Sequence, residues 1–270
     1  MFCANRAGKW GLREVSLSDG QEVQIVPNDF YGVDRPQWSP DGTQLAYTRT
    51  NPTTQKSQLM LWSAETHNEE PLTTPGHLLW GAPTDWSTDG KFLLLIQDDN
   101  NTGREEFWQL PLAARPKAER AARRITSNPD YDLDEGQYSL DGRWIVFEAQ
   151  RNQPQGLETT VYVMAAAGGP WIRITDGRHF VDKPRWSPDG KTIYFVSGRS
   201  GFINVWGIRF DPAKGKPVGL PFSVTALNSL SLMVPRHITG SIGLSLTQDR
   251  LVLPLAQQSG NIWVLDYVDQ

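Results

Sequence analysis

Three acids stand four positions ahead of an aromatic: Asp34 before Trp38, Asp134 before Tyr138 and Asp182 before Trp186. A second titratable residue follows each directly, namely Arg35, Glu135 and Lys183, and His179 lies just ahead of Asp182. Carboxylates that a repeating fold brings to one rim can accept a cation or the basic end of a peptide. Carboxylates that each accept a backbone N–H of their own loop are local caps, with basic neighbours to balance them. Local capping is the plainer reading. The set Asp34, Arg35, Asp134, Glu135, His179, Asp182 and Lys183 is carried forward as a candidate ligand or partner site. The corresponding position in a fourth stretch holds Ala82, so the ring of acids is incomplete.

Other constellations are weaker. Asp130, Asp132 and Asp134 invite a calcium-loop reading, but Gly136 falls one place late and Asp141, at the twelfth position, belongs to a turn. His67, His77, His179 and His237 lack zinc-like spacing and Cys3 is alone, so no metal is expected. There is no G-x-S-x-G elbow, no phosphate-binding loop and no dinucleotide fingerprint, so no catalytic residue and no cofactor are expected. Arg115, Lys117, Arg120, Arg123 and Arg124 cluster in Ala113–Arg124, but Glu119 interrupts them and no aromatics interleave. A solvated hairpin is expected there, and nucleic acid is not expected as a partner.

The elements that must position the acids come from a repeat. R-P-Q-W-S-P-D-G-T-Q-L-A-Y at Arg35–Tyr47 recurs at Pro83–Leu95, Glu135–Phe147 and Lys183–Phe195, with anchors Trp38, Trp86, Tyr138 and Trp186 at intervals of 48, 52 and 48 residues. An eroded fifth copy fits Leu244–Leu253 with Leu244 in the Trp place. Each copy reads as a strand, a turn closed by Asp41, Asp89, Asp141 or Asp189 with the following Gly, and a second strand. A third strand follows in each of the four full copies, at Leu59–Trp62, Phe107–Leu110, Val161–Met164 and Val205–Ile208; in the fifth it falls at Ile262–Leu265. A fourth, ending in Thr, completes the four full copies at 71–73, 124–126, 173–175 and 223–225. Asp211–Pro221 reads as an extended loop.

Four short strands in about 50 residues is the pattern of a propeller blade. W-S-P-D-G with its apolar strand, then V-Y-V-M, then G-G-P-W-I-R-I-T, resembles the TolB-type, WD-like β-propeller repeat, and that of the dipeptidyl peptidase IV and prolyl oligopeptidase group. The resemblance implies an all-β propeller of four complete four-stranded blades plus partial terminal ones, five to six in total. The expected division of the single domain 1–270 is a partial blade at 1–30, blades at 31–78, 79–130, 131–178 and 179–236, and a partial terminal blade at 237–270. Peptidases with such propellers carry their catalytic machinery on a separate domain.

Phe2–Arg6 matches Phe195–Arg199 at its first and last residues, so the chain opens in mid-blade, at a second strand. The expectation is the C-terminal propeller of a larger bacterial protein, in preference to a five-blade ring that closes imperfectly. Eleven Trp and seven Tyr supply rings to wedge between blades. A formal net charge of −4 gives no global attraction to nucleic acid or anionic lipid. No apolar run approaches the ~18 residues of a membrane span. The start has no secretory signal, which implies cytoplasm as written, and periplasm if the N-terminus is truncated. The expected function is a non-enzymatic scaffold or sensor binding a protein, peptide or small ligand. The alternative is the propeller of an enzyme, either a peptidase or a polysaccharide lyase.

Overall fold

The computed structural model describes residues 2–6, 9–16, 18–30, 32–51, 53–54, 56–73, 81–99, 101–112, 121–229, 232–234 and 243–257. His77, His237, the hairpin residues Arg115, Lys117, Glu119 and Arg120, and the third strand expected at Ile262–Leu265 lie outside them. The chain begins with a three-stranded antiparallel sheet of β1 (Phe2–Arg6), β2 (Lys9–Val15) and β3 (Glu22–Phe30). Four four-stranded antiparallel blades follow. The first holds β4 (Gly32–Trp38), β5 (Gln44–Thr50), β6 (Ser57–Ser63) and β7 (Glu69–Pro71), and the second β8 (Ala82–Trp86), β9 (Phe92–Asp98), β10 (Glu105–Pro111) and β11 (Arg123–Thr126). The third holds β12 (Asp132–Tyr138), β13 (Trp144–Gln153), β14 (Gly156–Ala165) and β15 (Ile172–Arg173). The fourth holds β16 (Val181–Trp186), β17 (Thr192–Ser197), β18 (Asn204–Asp211) and β19 (Lys216–Ser223). Then come β20 (Leu232–Met233), β21 (Ser245–Leu246), β22 (Leu251–Val252) and β23 (Ala256–Gln257), with β21 paired to β22 and β20 to β23. The inner strands β4, β8, β12, β16 and β21 pack successively side by side around the channel.

Two hydrogen-bond devices explain why the repeat has these residues. In the inner turn, Ser39 Oγ donates to Asp41 Oδ1 at 2.6 Å and accepts the N–H of Gln44 at 2.9 Å. Ser87, Ser139 and Ser187 do the same with Asp89, Asp141 and Asp189. The glycine after each Asp has φ between 66° and 71°, which an L side chain adopts at a cost. At the outer edge, the hydroxyls of Thr73, Thr175 and Thr225 accept the N–H groups of Leu59, Val161 and Val205 at 2.9–3.1 Å. A side chain thus replaces a backbone acceptor where the fourth strand runs out.

Strands alternate their side chains between two faces, and both faces are covered. Leu93 and Leu95 pack with Ala46, Leu59 and Leu61 of the preceding blade, while Leu94 and Ile96 pack with Ile145 and Phe147 of the next. Val146 turns the other way, to Ile193 and Phe195. Leu12 and Val26 of the three-stranded N-terminal sheet cover Leu45 and Tyr47. The anchors lock these interfaces. Trp86 Nε1 donates to the Gln37 carbonyl at 2.9 Å and Trp186 Nε1 to the Gln137 carbonyl at 3.2 Å.

Two expectations are corrected. Thr247 Oγ1 donates to Asp249 Oδ1 at 3.0 Å, the bond made by Ser39 and Asp41, so Leu246 and not Leu244 takes the anchor place. The fifth turn is shorter, with the Thr247 N–H on the Arg250 carbonyl, and aligning Ser245 with the repeat's Ser shifts the copy by two. Of Asp211–Pro221, only 212–215 is a loop: Asp211 ends β18, and from Lys216 the segment is strand β19. Pro217 and Pro221 are tolerated because β19 is an outer edge.

Trp186 is 5% exposed and packs edge-on against Phe210, so Trp186→Ala is expected to cost about 3–5 kcal/mol. Asp189→Ala removes turn bonds at the surface and is expected to cost nearer 1 kcal/mol. Urea melts giving the reverse order would remove Trp186 from its structural role.

Candidate functional site

At the start of each inner strand the backbone departs from the regular ladder. Between Asp34 and Gln37, Asp134 and Gln137, and Asp182 and Arg185, one extra residue is accommodated against the second strand. Arg35, Glu135 and Lys183 sit in these bulges with φ of 51°, 56° and 54°, a region uncommon for any residue but Gly, Asn or Asp. In each case the preceding Asp accepts the strained residue's own N–H through Oδ1, at 2.8, 2.6 and 2.6 Å. The acids therefore do cap their own loops. The second blade holds Ala82-Pro83 here, and proline cannot take positive φ.

The bulges turn their long side chains toward one another. Arg35 reaches past the second blade to Asp134 of the third, with Nη1 and Nη2 at 2.5 and 3.0 Å from the two carboxylate oxygens. Lys183 Nζ lies 2.5 Å from Glu135 Oε1 and 3.4 Å from Asp182. Arg185 Nη2 lies 2.6 Å from Glu135 Oε2. Burial pushes the Glu135 carboxyl up, but Lys183, Arg185 and Arg35 outweigh it and hold it well below the usual range. Burial pulls Lys183 down, but Glu135 and Asp182 outweigh it and raise it to about 12. Burial, then the neighbouring Asp182, pushes the Glu148 carboxyl on β13 well up.

Around this cluster the channel divides into three hollows. The rim hollow, 510 Å³, is lined by Asp34, Asp98, Glu105 and Asp132 with Arg35. Desolvation, then the charge on Asp134, pushes Glu105 up to about 7. Desolvation and Asp132 raise Asp98 as well. A middle hollow of 260 Å³ lies beside Arg185 and Gln137. The third, 430 Å³, opens among the anchor aromatics at the turn end.

No family model matches the chain. Among curated proteins it is 30% identical over 187 residues to the uncharacterized protein Atu1656 of Agrobacterium fabrum, covering 65% of this chain and 54% of that one. It is 25% identical over 163 residues to the uncharacterized peptidase YuxL of Bacillus subtilis, covering 60% of this chain and 16% of that one. The chain thus spans little more than half of the first relative and a small part of the second. Solved structures of TolB from Acinetobacter baumannii and of a TolB homologue from Agrobacterium tumefaciens superpose with TM-scores of 0.61 and 0.58. They are 24% and 23% identical and match 88% and 77% of this chain, 57% and 66% of theirs. The fold is a TolB-like β-propeller.

The propeller brings together six of the seven residues expected at the rim: Asp34, Arg35, Asp134, Glu135, Asp182 and Lys183. His179 is exposed in the loop before β16 and takes no part in their hydrogen bonds. Sequence reasoning missed Glu105, Asp98, Glu148, Arg185 and Asp85. Glu148 had a signal, a lone acid in the apolar run W-I-V-F-E-A, and so did Asp85, which stands where other repeats carry Gln37, Gln137 and Arg185. Among the described residues, no cluster of three or more His, Cys, Asp or Glu could hold a metal ion.

A carboxyl whose pKa is raised on folding makes the native state bind more protons than the unfolded chain between the two pKa values. Stability then falls as pH rises from about 4 to about 7. Glu105→Gln is therefore expected to raise stability by about 1–3 kcal/mol at pH 8 and to leave it unchanged at pH 4. Denaturant melts at the two pH values check this; an equal effect at both would remove the titration of Glu105 as its cause.

Proposed function

We propose that this propeller is a non-enzymatic interaction module that receives a basic segment of a protein or peptide at its rim. The observation that carries this reading is the convergence of Asp34, Asp98, Glu105 and Asp132 on one hollow whose lining guanidinium, Arg35, is already bonded to Asp134. Desolvation, and after it neighbouring carboxylates, push Glu105 and Asp98 up. A cation entering the hollow would relieve that repulsion, so charge complementarity favours a Lys- or Arg-bearing partner. Likeness to TolB supports a protein-interaction role. The rim carboxylates Asp34, Asp134 and Asp182 do not act alike in this proposal. Asp34 is half exposed and faces the partner, whereas Asp134 and Asp182 hold Arg35 and Lys183 in place.

A second reading is favoured by the alignment with a peptidase, YuxL, over 16% of that protein. On that reading the chain is the propeller portion of a peptidase and its rim faces a catalytic domain. A G-x-S-x-G elbow encoded contiguously with this chain would favour it.

The test is fluorescence anisotropy with a labelled Lys/Arg-rich peptide at two salt concentrations. The wild type is expected to bind, with affinity falling as salt rises. Asp34→Asn/Asp132→Asn is expected to weaken binding about tenfold, corresponding to ~1.4 kcal/mol, and Arg123→Ala/Arg124→Ala to leave it unchanged. Loss of binding in the second variant with retention in the first would overturn the assignment of the rim.

A further inference from the structure

The hollow at the turn end of the channel is chemically unlike the rim and does not depend on the reading above. Trp38, Trp86, Tyr138, Trp186 and Leu246, the anchors of five successive repeats, all line it. Among the described residues its lining holds one carboxylate, Asp85, and neither Lys nor Arg. Its 430 Å³ is within the range of small-molecule sites.

Asp85 stands one residue before its anchor, where blade three has Gln137. Gln137 Oε1 accepts the N–H of Trp186 at 2.9 Å, and Asp85 Oδ2 accepts the N–H of Tyr138 at 2.7 Å. An amide thus performs the inter-blade task without a charge, yet blade two keeps an acid there. Arg185 on β16 lends Asp85 some favourable charge, but its guanidinium is committed to Glu135 and to the carbonyls of Leu244 and Pro184. The Tyr138 phenol accepts from Gln109 and burial pushes its pKa up to about 12, so it brings no charge. The N–H groups of Tyr138 and Trp86 supply only dipoles. Desolvation prevails, and the carboxyl is pushed up to about 7.

We propose that this hollow binds a small organic cation, an ammonium or guanidinium group on a short apolar body, with Asp85 as its counter-charge and the anchor aromatics around its apolar part. A carboxylate that the protein neutralises poorly, inside walls of Trp and Tyr, suits a cation that sheds water at modest cost and gains from aromatic contact. Such a ligand selects ionised Asp85. Its affinity falls about tenfold per pH unit below about 7 and is level above it.

The probe is n-butylguanidinium, titrated at pH 6 and pH 8 and followed by tryptophan fluorescence, with butyrate as the matched anion. The wild type is expected to saturate with butylguanidinium, about tenfold more tightly at pH 8, and not to respond to butyrate. Asp85→Asn keeps an acceptor for the Tyr138 N–H; it is expected to lose at least tenfold in affinity and all of the pH dependence. Leu140→Lys, at an exposed position on the mouth, places a tethered ammonium there and is expected to compete with the probe. An acetyl-Gly-Arg-Gly-amide arm separates the two sources of the group: tighter binding of the peptide indicates a protein side chain, and tighter binding of the free cation a metabolite. Equal affinity in wild type and folded Asp85→Asn, an equal response to butyrate, or no binding of either cation overturns the proposal.

Discussion

Everything in this molecule depends on tying each inner strand to the one before it. Inner strands converge on a channel, where backbone donors have no neighbouring ladder on the axial side, and a buried unpaired N–H is costly. The chain meets this at two interfaces by making the residue before the anchor an acceptor. Gln137 takes the N–H of Trp186 and Asp85 that of Tyr138, while the indoles of Trp86 and Trp186 return a hydrogen bond to the preceding blade's carbonyl. Each blade is thereby fixed in height against its neighbour before any apolar contact is counted. The four core clusters, each lying between successive sheets, then add the bulk of the burial.

The same geometry governs the charges. Bulges at Arg35, Glu135 and Lys183 re-aim three long side chains inward, and the centre of the channel becomes an ionic cluster instead of an apolar plug. A buried ion pair returns little net stability, because desolvation offsets most of the attraction. Its use here is positional. Arg35 is held by Asp134 through Nη1 and Nη2 and Asp132 is paired with Arg104, while Asp34 faces the rim hollow half exposed.

Most of the architecture was legible because the repeat writes its hydrogen bonds as residue types. Ser, Asp and Gly at fixed spacing are the inner turn, and the terminal Thr of the fourth strand is the acceptor for the third. The apolar runs were legible as strands covered on both faces. The last repeat was misplaced by two residues because Ser245 imitates the Ser that Thr247 replaces. Strand β19 was hidden by Pro217 and Pro221, which read as loop until the strand is known to lie at an edge. Within the candidate site, six rim residues were legible from pseudo-symmetry alone. Their partners were not, since Arg35 bonds across an intervening blade and Glu148 reaches Asp182 from a different sheet. Asp85 escaped because the aromatic beside it drew the comparison between repeats.

Pro83 has a consequence of another kind. All four complete blades carry the bulge, but only three hold a residue at positive φ in it, because proline forbids that conformation in the second. A ring of near-identical sectors would present the same face to a visitor in several rotational settings, each as good as the next. The missing long side chain marks one sector as different, and Arg35 crosses that sector to reach Asp134, so the ring has a zero mark like that on a dial. A partner of the kind proposed would meet a single orientation there, so a protein built from copies of one motif could still tell its visitor which way round to sit.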